Sequence, residues 1–579
     1  MSFKTIFKSK LFLSILIIVL SIPAFFFFLK PGNLYWNMHD DMQMVRQLQF
    51  EKCIKDGQIP CRWTPDLGFG YGYPLFNFYP PFPNIVGQVF RTFSFSFVQT
   101  VKFTAVTQFI LAALFMYLLA SSLFGNFGGL VAALFYTYVP YHALNIYVRG
   151  AMNEAWAAVF FPLIFYFARK IILKNKFIDA IGLAISFCFL LLSHNPMVLI
   201  FTPILFAWVL FWLWQTHGFN LKKMIPIFIK LVFSGVLAAG LAAFFTFPLL
   251  VETKYTQVAS MFQGYYTFSA HYVSLKQMFL SNFWGDGGST WGPNDSMSFM
   301  IGFVHWILAV VTIFYFIITS IKNKKIDKKL LIPIILIIMA FGAAFLAHER
   351  STFIWLFLKE IQKLQFPWRF LNLSAFLFSL SAGILPYILY KLFSKRIAIL
   401  SIILILIILF TTNISHFYPI NSGPITDEQK FSGLNWERQI TSGIYDYLPS
   451  TASTAAKKIA TPFIDQVEPL SALVNISGQK QGTDWMFFNL FLNKDAKITI
   501  SQLAFPNFEI TNKGQKIDYQ IEPELGRMVI NLKAGNHQIY VKLKNTPIRT
   551  ISNYISLFTW LGLILYLLKP LWKKLIFKK

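Results

Sequence analysis

His39, Asp40 and Asp41 stand directly after the first long apolar run, 11–29. Two adjacent carboxylates are costly to bring near lipid, so chemistry or ion binding accounts for them better than packing does. A carboxylate in such a place can act as general base on a hydroxyl, or hold a divalent cation through its oxygens. Asp is also a favoured helix N-cap, because its side chain accepts from free backbone N–H groups; one of the pair can cap while the other reacts. Further along come Arg62 and Trp63, then an aromatic and glycine-rich run from Gly68 to Pro80 that holds Tyr73 and Tyr79. Aromatic faces suit sugar rings, and a guanidinium suits phosphate oxygens in bidentate fashion. The same tyrosines also fit an aromatic belt at a membrane surface.

Other segments place polar side chains at the ends of apolar runs. Arg149 and Glu154 flank Gly150-Ala151-Met152-Asn153. They make either a salt bridge at a helix start or a phosphate contact through the arginine. Ser193-His194-Asn195-Pro196 is a turn by virtue of its proline, with His194 a candidate contact. Glu252, after Thr246-Phe247-Pro248, and His271 are candidate metal or acceptor contacts. Asp286 and Asp295 lie in a Trp- and Gly-rich stretch that reads as a lid. Arg369, within Phe366-Pro367-Trp368-Arg369-Phe370, is a cation on the side where few are expected, and a lipid phosphate is its natural partner. The residues fix no cofactor; a divalent cation, Mg or Mn, is the one the paired carboxylates leave open. No phosphate loop, nucleophile elbow, HExxH or paired CxxC occurs, so nothing points to nucleotide chemistry. Cys53 and Cys61 are open to a disulfide in an oxidising compartment, and Cys188 sits in an apolar run.

These side chains need a scaffold, and the composition says which. Of 579 residues, 56% are hydrophobic and 13% charged, against roughly 25% charged in soluble domains. Apolar runs recur at lengths that cross a ~30 Å hydrocarbon core. Helices satisfy their own backbone there, so the class is mainly α and polytopic. The net charge of +26 collects between apolar runs, as in Lys4, Lys8 and Lys10; Arg169, Lys170, Lys174 and Lys176; Lys322, Lys324, Lys325, Lys328 and Lys329; and Lys573, Lys574, Lys578 and Lys579. That pattern is positive-inside: the partner is anionic lipid and not nucleic acid. Setting every cluster on the cytoplasmic side predicts about twelve transmembrane helices in the cytoplasmic (inner) membrane, with both termini cytoplasmic. The multi-span domain covers 1–413, with large outer loops at 30–100 and 251–298. The polar stretch 414–550 alternates as strands do at 497–500, 527–532 and 537–543, which predicts a small extracytoplasmic β-sandwich domain. The last helix and basic tail are 551–579. On this topology the candidate residues share the outer face, where Arg62, Arg149, Glu252 and Arg369 can converge on Asp40 and Asp41.

Several motifs together resemble one family. His39-Asp40-Asp41, Gly57-Gln58-Ile59-Pro60-Cys61-Arg62-Trp63, Gly70-Tyr71-Gly72-Tyr73-Pro74-Leu75-Phe76, Arg149-Gly150-Ala151 with Glu154, Ser193-His194-Asn195 and Gln365–Phe370 look like the bacterial and archaeal integral membrane proteins labelled "6-pyruvoyl-tetrahydropterin synthase-related". That family is in turn similar to the GT-C glycosyltransferases. The resemblance implies a polytopic fold, a polyprenyl-phosphate-linked sugar as donor, and a catalytic carboxylate in the first outer loop at Asp40 or Asp41. Met44 stands where related sequences often place a His, which moves the expectation from a metal toward a direct base. The implied activity is sugar transfer to an envelope glycan, lipid or protein acceptor, with Arg149 and Arg369 on the departing phosphate. A transporter or flippase of lipid-linked saccharides and a non-catalytic envelope scaffold are the rival readings. Ionisable residues at the outer ends of runs, away from their middles, favour the enzyme.

Overall fold

The computed structural model describes residues 9–218, 220–292, 294–443 and 446–576. Lys4, Lys8, Lys578 and Lys579 of the basic clusters lie outside them. Ten helices among the described residues are long and apolar enough to cross a membrane. The chain is a multi-pass membrane protein.

Helix limits follow from local chemistry. Phe97–Thr137 opens on a capping box, in which Ser96 and Gln99 satisfy each other's backbone N–H groups. Met152–Lys174 closes on Asn175 in the left-handed conformation, and Asn195–His217 closes on Gly218 likewise. The Phe97–Thr137 run is broken at Gly125, where φ is 78°. A Cβ at Gly129 would meet Tyr117 Cδ2 at 2.8 Å. In an unbroken helix residues so spaced stand ~18 Å apart, so the chain reverses at Gly125 and its two arms pack side by side. Phe177–Leu191 is apolar but shorter, at 15 residues. Length alone thus gives ten helices where the sequence suggests about twelve spans, because one run contains a reversal and one helix falls short.

Contacts divide the chain into two compact units built from interleaved segments. The first comprises Met1–Asp41, Phe93–Val236 and Phe262–Ile425; the second comprises Met42–Thr92, Leu237–Met261 and Thr426–Lys579. The sequence groups 1–413 together and sets 414–550 apart. The structure instead joins 42–92 and 237–261 to the C-terminal segment. The cause is apolar burial: Trp63, Tyr71, Tyr73, Phe76 and Phe78 belong to the same cluster as Ile498, Ile500 and Ile530 of the strands.

The first unit is a helical bundle that also carries an antiparallel ribbon of β1 (Leu34–Trp36) and β2 (Ser422–Pro424). The second contains two antiparallel sheets. One has the order β3-β6-β10-β9, from β3 (Ile464–Glu468), β6 (Ala496–Leu503), β9 (Gln520–Ile521) and β10 (Arg527–Leu532). The other has the order β4-β5-β11-β7-β8, from β4 (Val474–Gln481), β5 (Trp485–Leu492), β7 (Phe508–Asn512), β8 (Gln515–Ile517) and β11 (Gly535–Leu543). Side chains alternate along each strand, so Phe488, Ile510, Ile539 and Val541 of the second sheet enter the cluster that holds Ile498, Ile500 and Ile530 of the first. Cys53 and Cys61 form a disulfide, and Cys188 is a buried free thiol.

Candidate active site

In the helical unit the β1 ribbon delivers the aspartates. Trp36 anchors it by donating from Nε1 to the Ile146 carbonyl at 2.9 Å. The His39 N–H then donates to Val148 O at 2.9 Å, and the Asp40 N–H to Arg149 O at 3.0 Å. The accepting backbone is the π-helical turn Leu144–Val148, capped by Arg149. Such a turn carries one extra residue and re-aims the side chains that follow. Gly150 has φ +64°, and a Cβ there would fall 2.4 Å from Met38 Sδ. Only glycine lets the two segments lie this close. The His39 ring bonds to Asp286 O at 2.8 Å, while the Asp286 carboxylate accepts from Asn421 at 2.8 Å. Asp41 and Asp40 both act on Tyr35: burial raises its phenol well above the ordinary value, and the two carboxylates, Asp41 first, raise it further.

Immediately beyond Arg149 lies a charged cluster. Arg149 Nη1 and Arg369 Nε approach one oxygen, Glu154 Oε2, at 2.9 and 3.6 Å. The Tyr141 hydroxyl donates to the other oxygen at 2.8 Å. Glu154 is 1% exposed. Arg149 also bonds to Asn145, and its guanidinium lies 4.4 Å from the Trp368 ring centroid. Arg369 donates to Leu364 O at 2.5 Å. Two guanidiniums on one carboxylate leave a positive charge uncompensated within this trio. Burying it is costly unless an anion joins. His194 caps Asn195–His217 by accepting from the Met197 N–H. Burial, with Arg369 adding, lowers its pKa to about 3, so the ring is neutral at ordinary pH. His271 is held between Ser289 Oγ, at 2.9 Å, and Tyr265 O, with its ring 4.7 Å from Phe366. Burial lowers its pKa as well. Asp295 is fixed by Gln277 and by the Thr290 N–H.

The remaining candidates belong to the second unit. Arg62 donates to Asn77 Oδ1 at 2.9 Å, to Phe244 O at 2.9 Å and to Asn553 Oδ1 at 2.8 Å. Asn77 and Arg549 both donate to Glu252 Oε2 at 2.8 Å, and Thr546 donates to Oε1 at 2.6 Å. Burial, with the charge of Arg549 adding to it, pushes Arg62 down to about 9 against the pull of Glu252. Trp63 is 1% exposed and meets Phe508 edge-on at 5.1 Å. The Tyr79 hydroxyl accepts from Arg46 at 3.0 Å, and its ring lies 4.3 Å from that guanidinium.

The structure therefore gathers His39, Asp40, Asp41, Arg149, Glu154, His194, His271 and Arg369 in one unit, and Arg62, Trp63, Tyr79 and Glu252 in the other. Sequence reasoning missed Tyr35, Tyr141, Asn145 and the face of Trp368. The available signal was polar tips in otherwise apolar stretches, which mark functional positions in membrane helices. Among the described residues, no group of three or more His, Cys, Asp or Glu side chains is placed to hold a metal.

No family model matches the chain. A protein of Lactococcus lactis subsp. cremoris (strain MG1363), described as "Uncharacterized protein", is 28% identical over 250 residues, which is 42% of this chain and 39% of that one. Among solved structures, the mycobacterial arabinofuranosyltransferase AftD is similar over 72% of this chain and 28% of its own, at 12% identity and TM-score 0.43. The apo oligosaccharyltransferase of Archaeoglobus fulgidus is similar over 78% of this chain and 61% of its own, at 14% identity and TM-score 0.42. The chain spans less than two thirds of each of these proteins.

Proposed function

We propose that the protein is a membrane glycosyltransferase of the GT-C type. It moves a sugar from a polyprenyl-phosphate carrier to an envelope glycan, lipid or protein acceptor on the outer face of the cytoplasmic membrane. One observation carries the reading: Asp40 is hydrogen-bonded through its backbone to Arg149, whose guanidinium shares the buried Glu154 with Arg369. A base and an anion seat thus adjoin along a single residue. Asp40 takes the proton from the acceptor hydroxyl, the oxygen attacks the anomeric carbon, and the bond from that carbon to the phosphate oxygen breaks. The electron pair leaves on the phosphate, where the surplus charge of Arg149 and Arg369 meets it. Asp41 holds Tyr35 and keeps the turn in place. Asp40 and Asp41 are the carboxylates that would hold a divalent cation, and such an ion would supply further charge stabilisation.

The experiment uses purified protein in lipid nanodiscs with a radiolabelled polyprenyl-phosphate sugar and envelope extract as acceptor. Transfer in the wild type, with Asp40→Asn reduced at least a hundredfold (about what a general base contributes) and Asp41→Asn reduced less, is the expected result. Movement of intact donor lipid between leaflets without cleavage of the sugar–phosphate bond would instead make the protein a flippase.

A further inference from the structure

The β4-β5-β11-β7-β8 sheet of the second unit carries a depression of about 600 Å³ on the face away from the apolar cluster. That size lies within the ~300–1,000 Å³ of ligand sites. Strand register arranges its floor in two rows: Asn475, Phe491 and Asn536 stand side by side, and next to them Ser477, Asn489 and Gln538. Among the described residues, none of the five polar side chains makes a hydrogen bond within the protein, and Phe491 is 46% exposed. A third row continues the pattern with Phe487, Tyr540 and Thr511.

The depression is built, not merely left over. The β4–β5 register shifts between Ser477 and Lys480, and Gly478 sits in that bulge with φ +60°. A Cβ on Gly478 would meet Asn489 Nδ2 at 2.6 Å, so the missing side chain gives the Asn489 amide its place. On the opposite side the tight turn at Lys513 closes over β11, where the Lys513 N–H donates to Gln538 O at 2.9 Å. Asn512 fixes that wall by accepting from the Gln538 N–H at 3.1 Å and by bonding to the His537 ring at 2.9 Å.

We infer that this face binds a neutral oligosaccharide, through the four amides and an aromatic platform centred on Phe491. Each carboxamide offers donor and acceptor together, which matches the paired hydroxyls of a sugar ring. Phe491 takes the ring's C–H face. The two rows contain no charged side chain, and the lining adds a single lysine, Lys513 at the wall; one cation falls short of the several that a nucleic acid or an anionic polymer calls for, and the polarity of the rows disfavours an acyl chain. The inference rests on the glycosyltransferase reading only in naming the ligand's use, as the growing acceptor glycan.

The test titrates full-length protein in nanodiscs with three neutral hexasaccharides, β-1,4-linked glucose, β-1,4-linked N-acetylglucosamine and α-1,6-linked mannose. At least one binds with a Kd below about 1 mM. Phe491→Ala weakens it about tenfold, and Asn489→Ala by a similar factor, with thermal midpoints unchanged. Binding of none of the three, or binding indifferent to both substitutions, overturns the inference. Asp40→Asn leaves glycan binding intact. If glycan binds and no sugar is ever transferred, the catalytic reading fails and this one stands.

Discussion

Glu154 holds two arginines and a tyrosine at once, so its removal has a calculable direction. Glu154→Gln leaves Arg149 and Arg369 buried together without a counter-charge, at a cost of roughly 3–5 kcal/mol. The thermal midpoint in detergent falls sharply, and adding Arg369→Gln to that background recovers part of the loss. Strictly additive losses in the double variant would show that the three groups do not act as a unit. Gly150→Ala is the sterner probe of the turn that presents Asp40. It forces a side chain onto φ +64° and against Met38, with roughly 1–3 kcal/mol of backbone strain. Transfer falls well beyond what the change in midpoint explains, because the His39–Asp40 backbone must move; unchanged transfer would separate Asp40 from the Arg149 turn. At this scale the sequence was readable where charge and hydropathy collide: Arg149, Glu154 and Arg369 are conspicuous in apolar surroundings. Tyr141, Asn145 and Trp368 were not, since such residues also occur as ordinary packing or interfacial groups. Their convergence depends on a π turn that no local spacing announces.

Between residue and molecule, each helix has to be tied to its neighbour. Gln43–Lys55 meets Phe82–Thr92 through Glu51, which pairs with Arg91 Nε at 2.5 Å and with Lys55. Burial alone would raise the Glu51 pKa; the bonds and charges of Arg91 and Lys55 outweigh it and hold the carboxyl below its usual range. A carboxyl depressed in the folded state contributes stability above its unfolded pKa, ~4.3, and loses it as pH falls through the folded value. The stability gap between wild type and Glu51→Gln is therefore full at neutral pH and closes as pH drops below about 4. Parallel thermal melts across that range measure it, and a gap independent of pH would mean that Glu51 acts by shape and not by charge. Strand positions at 497–500, 527–532 and 537–543 were legible because alternation is local. The reversal at Gly125 was harder to see, because a glycine inside an apolar run reads equally as a tolerated break.

Across the molecule, the segment order hides the packing. The stretch 42–92 reads as a membrane-surface loop, yet Trp63, Tyr73, Phe76 and Phe78 lie in one apolar core with the C-terminal strands. Backbone pairing reinforces this: Thr64 and Tyr73 exchange hydrogen bonds at 2.9 and 3.0 Å, and the Leu503 N–H donates to Tyr71 O at 3.0 Å. Aromatic residues beside glycines carry no label for which distant strand they meet, so this pairing was out of reach of pattern alone. The consequence is that 426–546 is not a removable appendage. Without it these aromatics lose their cover, and the cluster joining Arg62, Asn77 and Glu252 loses Thr546. In the intact protein, the amides of Tyr71 to Tyr73 exchange with deuterium as slowly as those of β6, because both open only when the shared core does. A chain lacking 426–546 loses that protection and elutes as aggregate from size exclusion. Slow exchange at Tyr73 in a monodisperse truncated protein would mean that 42–92 folds by itself and that the shared core is incidental.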